Sequence, residues 1–164
     1  MAVDGPDAAR AAESGGARAL VVAGAVDAVR AASELPILAT GASLEAAARS
    51  GADACVVAAE DLEDDVGEEL AESLARIDWV VRVDDDDELK RVLEEHDPEI
   101  LLLDGDLEHA LELLSDVPVG KLAIARADSV TSAEIAELER RGVDAVIVSS
   151  HAVAALGGRA SSPA

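Results

Sequence analysis

The sequence predicts an α/β domain of repeated strand–helix units whose parallel strands close, wholly or in part, into a barrel. Three observations carry that prediction. Seven short aliphatic runs recur, at residues 19–23, 36–40, 54–59, 79–83, 100–104, 121–125 and 145–148. Most are about five residues of Val, Ile, Leu and Ala, the pattern of strands buried on both faces. Segments of helical character lie between them, such as 61–76, 85–95, 107–114 and 132–141. Finally, one junction occurs three times: Gly16-Ala17-Arg18-Ala19, Gly51-Ala52-Asp53-Ala54 and Gly142-Val143-Asp144-Ala145, each leading into a run. Glycine closes a helix in the left-handed conformation, and a buried strand follows. Helix–Gly–strand in triplicate belongs to an alternating α/β chain.

The helices have their own local logic. Leu89, Val92 and Leu93 fall on one helical face. Acidic residues gather where helices should start, at 61–65 and 84–87, and there complement the helix dipole. Successive runs begin 17 to 25 residues apart, which fits minimal βα units with right-handed crossovers. A complete eight-stranded barrel typically takes about 200 residues or more. With 164 residues and seven runs, the expectation is a compact or incomplete TIM-barrel-like sheet of about seven strands. Residues 1–156 form the single domain. Residues 157–164 have linker composition and are expected to be disordered.

Composition narrows the function classes. Half of the residues are hydrophobic, yet Phe and Tyr are absent and Trp79 is the sole aromatic. Aliphatic side chains must therefore do the packing. The net charge is −22, from 35 acidic and 13 basic residues, and the only lysines are Lys90 and Lys121. Such a charge repels itself and is screened by salt, so the chain reads as a salt-adapted, halophilic cytoplasmic protein, the alternative being an ordinary acidic protein from a GC-rich genome. A nucleic-acid partner is excluded for want of a basic face. No run is long enough to span a bilayer, and residues 1–6 show no secretion signal. Cys55, the only cysteine, sits in an apolar run and is expected to be buried and inert.

The order of segments resembles indole-3-glycerol-phosphate synthase, from that family's second strand to its eighth. The resemblance rests on Ala12-Glu13-Ser14-Gly15-Gly16-Ala17-Arg18-Ala19-Leu20, on Val29-Arg30 with Leu35-Pro36-Ile37-Leu38, and on Arg49-Ser50-Gly51-Ala52-Asp53-Ala54. It continues in Val81-Arg82-Val83-Asp84 with Glu88-Leu89, and in the segment from Arg141 to Ser150. It covers residues 8–156 and leaves the family's N-terminal segment and first strand, with a catalytic Glu and a Lys, without a counterpart. In the third strand the family's general-acid Lys is missing from Ala39-Thr40-Gly41-Ala42. Arg82 stands where a Glu belongs. An Asn-bearing motif has become Leu103-Asp104-Gly105-Asp106-Leu107, and a Glu-Ser-Gly turn has become Ala125-Arg126-Ala127-Asp128. Ser149 and Ser150 keep the family-like phosphate contact.

Ring closure with loss of carbon dioxide and water requires a proton donor and groups that stabilise developing charge. Thr40 and Gly41 supply neither. The resemblance thus implies a degenerate barrel without the parental lyase activity, serving as a phosphate-ligand binding or assembly module. The alternative is an active carboxy-lyase of tryptophan biosynthesis in which Arg82, Lys121 or Arg126 replaces the missing acid. A third reading keeps the fold and changes the reaction to an isomerase or aldolase on another sugar phosphate. Lys121 begins its run, away from the functional rim, which argues against a Schiff base.

Barrel sites lie where strands end. That rule gathers Thr40, Glu60, Asp84, Asp104, Asp106, Arg126, Asp128, Ser149 and Ser150 on one rim. The substrate- or phosphate-binding candidates are Arg126, Ser149, Ser150, Asp104 and Arg82, with no catalytic residue assigned. The alternative reading makes Arg126 a surface ion-pair partner of Asp128 and the serines caps of the last helix. The carboxylates at 84–87, 104 and 106 suit a hard cation but read better as caps and a solvated face. His96, His109 and His151 form no metal pattern, and a Ser150–His151 pair is disfavoured because adjacent side chains rarely face each other. No metal and no cofactor is expected. Because a missing strand would expose sheet edges, self-association is.

Overall fold

The computed structural model describes residues 1–62, 72, 76–127 and 130–149. It contains one sheet of eight parallel strands in chain order: β1 (Ala2–Val3), β2 (Leu20–Ala23), β3 (Ile37–Thr40), β4 (Ala54–Ala58), β5 (Asp78–Val83), β6 (Ile100–Leu103), β7 (Leu122–Ala127) and β8 (Ala145–Val148). Helices α1 (Pro6–Ser14), α2 (Val26–Arg30), α3 (Leu44–Arg49), α4 (Asp86–Glu95), α5 (Leu107–Leu114) and α6 (Ser132–Arg141) cover its outer face, with a 3-10 turn at Ala59–Leu62 after β4. All seven aliphatic runs are strands. The helical segments expected at 85–95, 107–114 and 132–141 are α4, α5 and α6. Most of the one expected at 61–76 lies outside the described residues, as does the 157–164 tail.

The strand count needs correction. A first strand is present: Ala2 and Val3 pair with Val21 and Val22. Two residues are too few to show periodicity, so this strand left no pattern in the sequence. A parallel bridge from Ala2 to Ser149 then closes the ring. That single bridge, at the residue after β8, is what joins the two edges among the described residues; Ala145–Val148 have no strand partner on the β1 side.

The register defines the barrel. Pairing runs from Ala2 to Val21, Leu38, Ala54 and Asp78, and onward through β6 and β7. Followed round, that level meets β8 at position 141, whereas Ala2 bridges Ser149. The offset is eight residues, the shear of the eight-stranded (β/α) barrel.

Side chains alternate across the sheet. Leu20, Val22, Ile37, Val81, Val83, Leu101 and Leu103 face the helices and build the larger core with Ala9, Val29, Leu89, Val92 and Leu113. Val21, Leu38, Val80, Leu102 and Ile147 face inward and form a separate core within the ring. At equal height the inward residues come from alternate strands. Val21, Val56, Leu102 and Ile147 make the central layer. Thr40, Arg82 and Arg126, with Ala2, make the layer above it. Trp79 is half-buried on the outer face, in register with Cys55.

The repeated junction is a strand clamp. The Asp53 carboxylate accepts from the Ile37 N–H (2.8 Å) while the Asp53 N–H donates to the Ile37 carbonyl (2.9 Å). Asp144 does the same with Ala123, at 2.8 and 2.9 Å. Asp53 also pairs with Arg30, whose Nε donates to the Gly51 carbonyl at 2.9 Å and whose Nη1 donates to that of Leu35 at 3.1 Å. In the first copy Arg18 takes the aspartate's place, and the Met1 amino group donates to the Ala19 carbonyl instead (2.7 Å).

Asp53→Ala should cost about 1–3 kcal/mol, because it strands both the Ile37 N–H and the Arg30 guanidinium. Asp144→Ala should cost less, since it frees one N–H alone. Urea denaturation in molar salt measures both, and equal losses would contradict the clamp-plus-arginine account.

Candidate functional site

The strands end on one rim, and the side chains there fall into two groups. On the β7–β8 side, a cavity of about 410 Å³ is lined by Asp4, Thr40, Arg126 and Ser149 over a floor of Val21 and Ile147. Arg126 is solvent-exposed at the end of β7 and has no ion-pair or hydrogen-bond partner among the described residues. Ser149 follows β8 directly and carries the bridge to Ala2. Of the predicted site residues, Arg126 and Ser149 therefore meet. Ser150, Asp128 and His151 lie outside the described residues. Asp4 escaped the sequence reading because it follows the two-residue strand that left no pattern. Glu60 sits exposed in the 3-10 turn and does not line this cavity.

Arg82 and Asp104 form the second group, on β5 and β6. The Arg82 Nε lies 3.5 Å from Asp84 Oδ1 and 3.8 Å from Asp104 Oδ2, and it makes no hydrogen bond. The cation is thus held loosely between two carboxylates. The remaining acidic residues of this side are committed to local structure. Asp85 caps α4 by accepting from the Glu88 N–H (2.8 Å), and Glu88 accepts from the Asp84 N–H (2.9 Å). Asp106 caps α5 by accepting from the His109 N–H (2.9 Å). No three His, Cys, Asp or Glu side chains gather into a metal-sized cluster among the described residues.

His109 ties the two loops together. Its Nε2 lies 2.7 Å from the Asp84 carbonyl, and its ring covers Gly105, where a Cβ would stand 2.8 Å from the His109 Cδ2. Gly105 also has φ +112°, which a side chain rarely tolerates. The hydrogen bond to Asp84 raises the His109 pKa above its ordinary 6.5. Partial desolvation opposes the shift, and Glu112, Asp106 and Asp86 add to it.

Neither lysine reaches the mouth. Lys121 precedes β7 at the opposite end and pairs with Asp97, while Lys90 is exposed on α4. Cys55 is fully buried, and burial pushes its thiol pKa up. The place of Lys121 and the burial of Cys55 agree with the expectation from the sequence.

Ring, register and rim define a TIM barrel with an arginine-bearing mouth. No protein-family model and no curated protein matches the chain. Among solved structures its fold is similar to one described as "QR15, an Aldolase", with a TM-score of 0.67 and 14% identity over 88% of this chain and 83% of that one. It is also similar to orotidine 5'-phosphate decarboxylase from Pyrococcus horikoshii OT3, with a TM-score of 0.64 and 13% identity over 96% and 97% of the two chains. At these identities the likeness is one of fold. No helix among the described residues is long and apolar enough to cross a membrane.

The His109 shift fixes the sign of a pH effect. A raised pKa means that folding favours the protonated ring, so this contribution is complete below the ordinary value. It fades as pH rises through the higher folded value. The stability gap between the native chain and His109→Gln should therefore be largest in mild acid and narrow above neutrality. Melting curves across that range test it, and a gap that widens with pH would refute it.

Proposed function

We propose that this barrel binds a small phosphorylated molecule at the β7–β8 side of its mouth and does not catalyse indole formation. The observation that carries the reading is Arg126: a guanidinium without a protein partner among the described residues, lining one cavity with Ser149. A planar guanidinium meets phosphate oxygens with two parallel hydrogen bonds. The ends of strands seven and eight are also where barrels commonly seat phosphate. Asp4 and Thr40 line the same cavity and offer acceptor and donor groups to hydroxyls on the rest of such a ligand.

The absence of lyase chemistry is argued from the same rim. Proton donation to a leaving hydroxyl calls for an acid within hydrogen-bond reach. With Lys90 and Lys121 both elsewhere, no ammonium faces the mouth. Arg82 and Arg126 bring guanidinium groups, which serve as hydrogen-bond donors and not as proton donors, so neither replaces the missing acid. These features favour a binding module degenerate from an indole-3-glycerol-phosphate synthase-like ancestor over an active lyase.

Calorimetry in molar salt should show ribose 5-phosphate binding and ribose failing to bind. Arg126→Ala should weaken the phosphorylated ligand by about tenfold or more, the worth of a charge-assisted pair. An indole-fluorescence assay should stay at background. Indole turnover that Arg126→Ala abolishes, or equal affinity for the two sugars, would overturn the proposal.

A further inference from the structure

The barrel's other end is hollow. Its lowest inward layer consists of Ala19, Ala54, Ile100 and Ala145, three methyl groups and a single large side chain. The layer above contains Leu38, Val80 and Ile124. The chain has no Phe or Tyr to make up the volume, and Trp79 faces the helices. A cavity of about 590 Å³ lies at the N-terminal ends of the strands. That size lies within the ~300–1,000 Å³ of small-molecule sites, which are mostly apolar with a few polar groups to set orientation. Water is a poor occupant, because it needs several polar partners and aliphatic walls supply none.

The charged groups at the opening are unequal. Asp53 is held by Arg30 and the Ile37 N–H, and Asp144 by the Ala123 N–H. Arg18 also lines the opening and has no ion-pair or hydrogen-bond partner among the described residues. Arg18 therefore stands beside an aliphatic chamber without a partner among the described residues, and the Met1 ammonium, which donates to the Ala19 carbonyl, is a second cation there. A second copy of this chain would bring a net charge of −22 to the same opening, whereas a monocarboxylate brings a single negative charge that the Arg18 guanidinium can meet.

We infer that the chamber is a binding site for an amphipathic monocarboxylate, its hydrocarbon chain within the two lowest layers and its carboxylate on the Arg18 guanidinium. The two sites share the apolar partition of Val21, Ile147 and Val148, but their charged groups, Arg18 here and Arg126 there, lie at opposite ends of the barrel.

Decanoate is the probe, with decanol as its uncharged counterpart. Titrated in molar sodium chloride, the native chain should bind decanoate saturably and melt at a higher temperature, as a ligand of the folded state requires. Ala145→Phe places a ring in the lowest layer and should weaken both probes by at least about tenfold while leaving the melting temperature level or higher. Should that variant fail to fold, Ala19→Phe fills the same layer from another exposed position. Arg18→Ala should weaken decanoate about threefold to fivefold, the worth of a solvent-accessible ion pair, and leave decanol unchanged. Failure of decanoate to saturate, or undiminished binding to both filled variants, would remove the site. Equal loss of decanoate and decanol in Arg18→Ala would overturn the head-group assignment. A stable dimer in light scattering that excludes decanoate would give the chamber to a second copy instead.

Discussion

Closing eight parallel strands at an offset of eight residues is the constraint on which everything else in this molecule depends. The offset tilts the strands, and the tilt brings inward side chains from alternate strands to equal heights. Thr40, Arg82 and Arg126 thereby share one level although they are far apart in sequence. The same geometry stacks Val21, Val56, Leu102 and Ile147 beneath them as an apolar plug, so the two ends of the barrel are chemically separate. A one-residue slip at any pairing would turn the arginines outward and the leucines of the outer core inward. The clamps at Asp53 and Asp144 guard against such a slip, because each fixes one strand to its predecessor through two hydrogen bonds at a defined residue.

Much of this was legible in the sequence because it depends on long-range burial that local composition must satisfy. A strand covered on both faces has to be aliphatic throughout, so seven of the eight announced themselves. Ala2–Val3 did not, because it is held by pairing with β2 and by one bridge to Ser149 rather than by any pattern of its own. The junction aspartates were visible as a repeat, but their role was not. A carboxylate that caps a neighbouring strand looks the same in sequence as one that caps a helix. Rim positions followed from the ends of the runs, which correctly brought Arg126 and Ser149 together. What sets Arg82 apart from them, its place between Asp84 and Asp104, is a matter of side-chain position that no pattern in the sequence shows.

The mouth shows how an acidic chain spends its carboxylates. Asp85 and Asp106 satisfy helix N-termini, and Asp84 and Asp104 flank Arg82. His109 then joins the loop after β5 to the helix after β6, over a glycine that leaves room for its ring. The β5–β6 side is thus internally cross-braced, whereas Arg126 on the β7–β8 side has no ion-pair or hydrogen-bond partner among the described residues.

Trp79 has an optical consequence. As the chain's one indole, without any tyrosine beside it, it supplies essentially all near-ultraviolet absorbance and emission. Its position on the outer face of β5, in register with the Cys55 thiol, makes that light report on how the helical coat seats against the sheet. Loosening of the coat would shift that emission, so the protein carries a built-in gauge of its outer core.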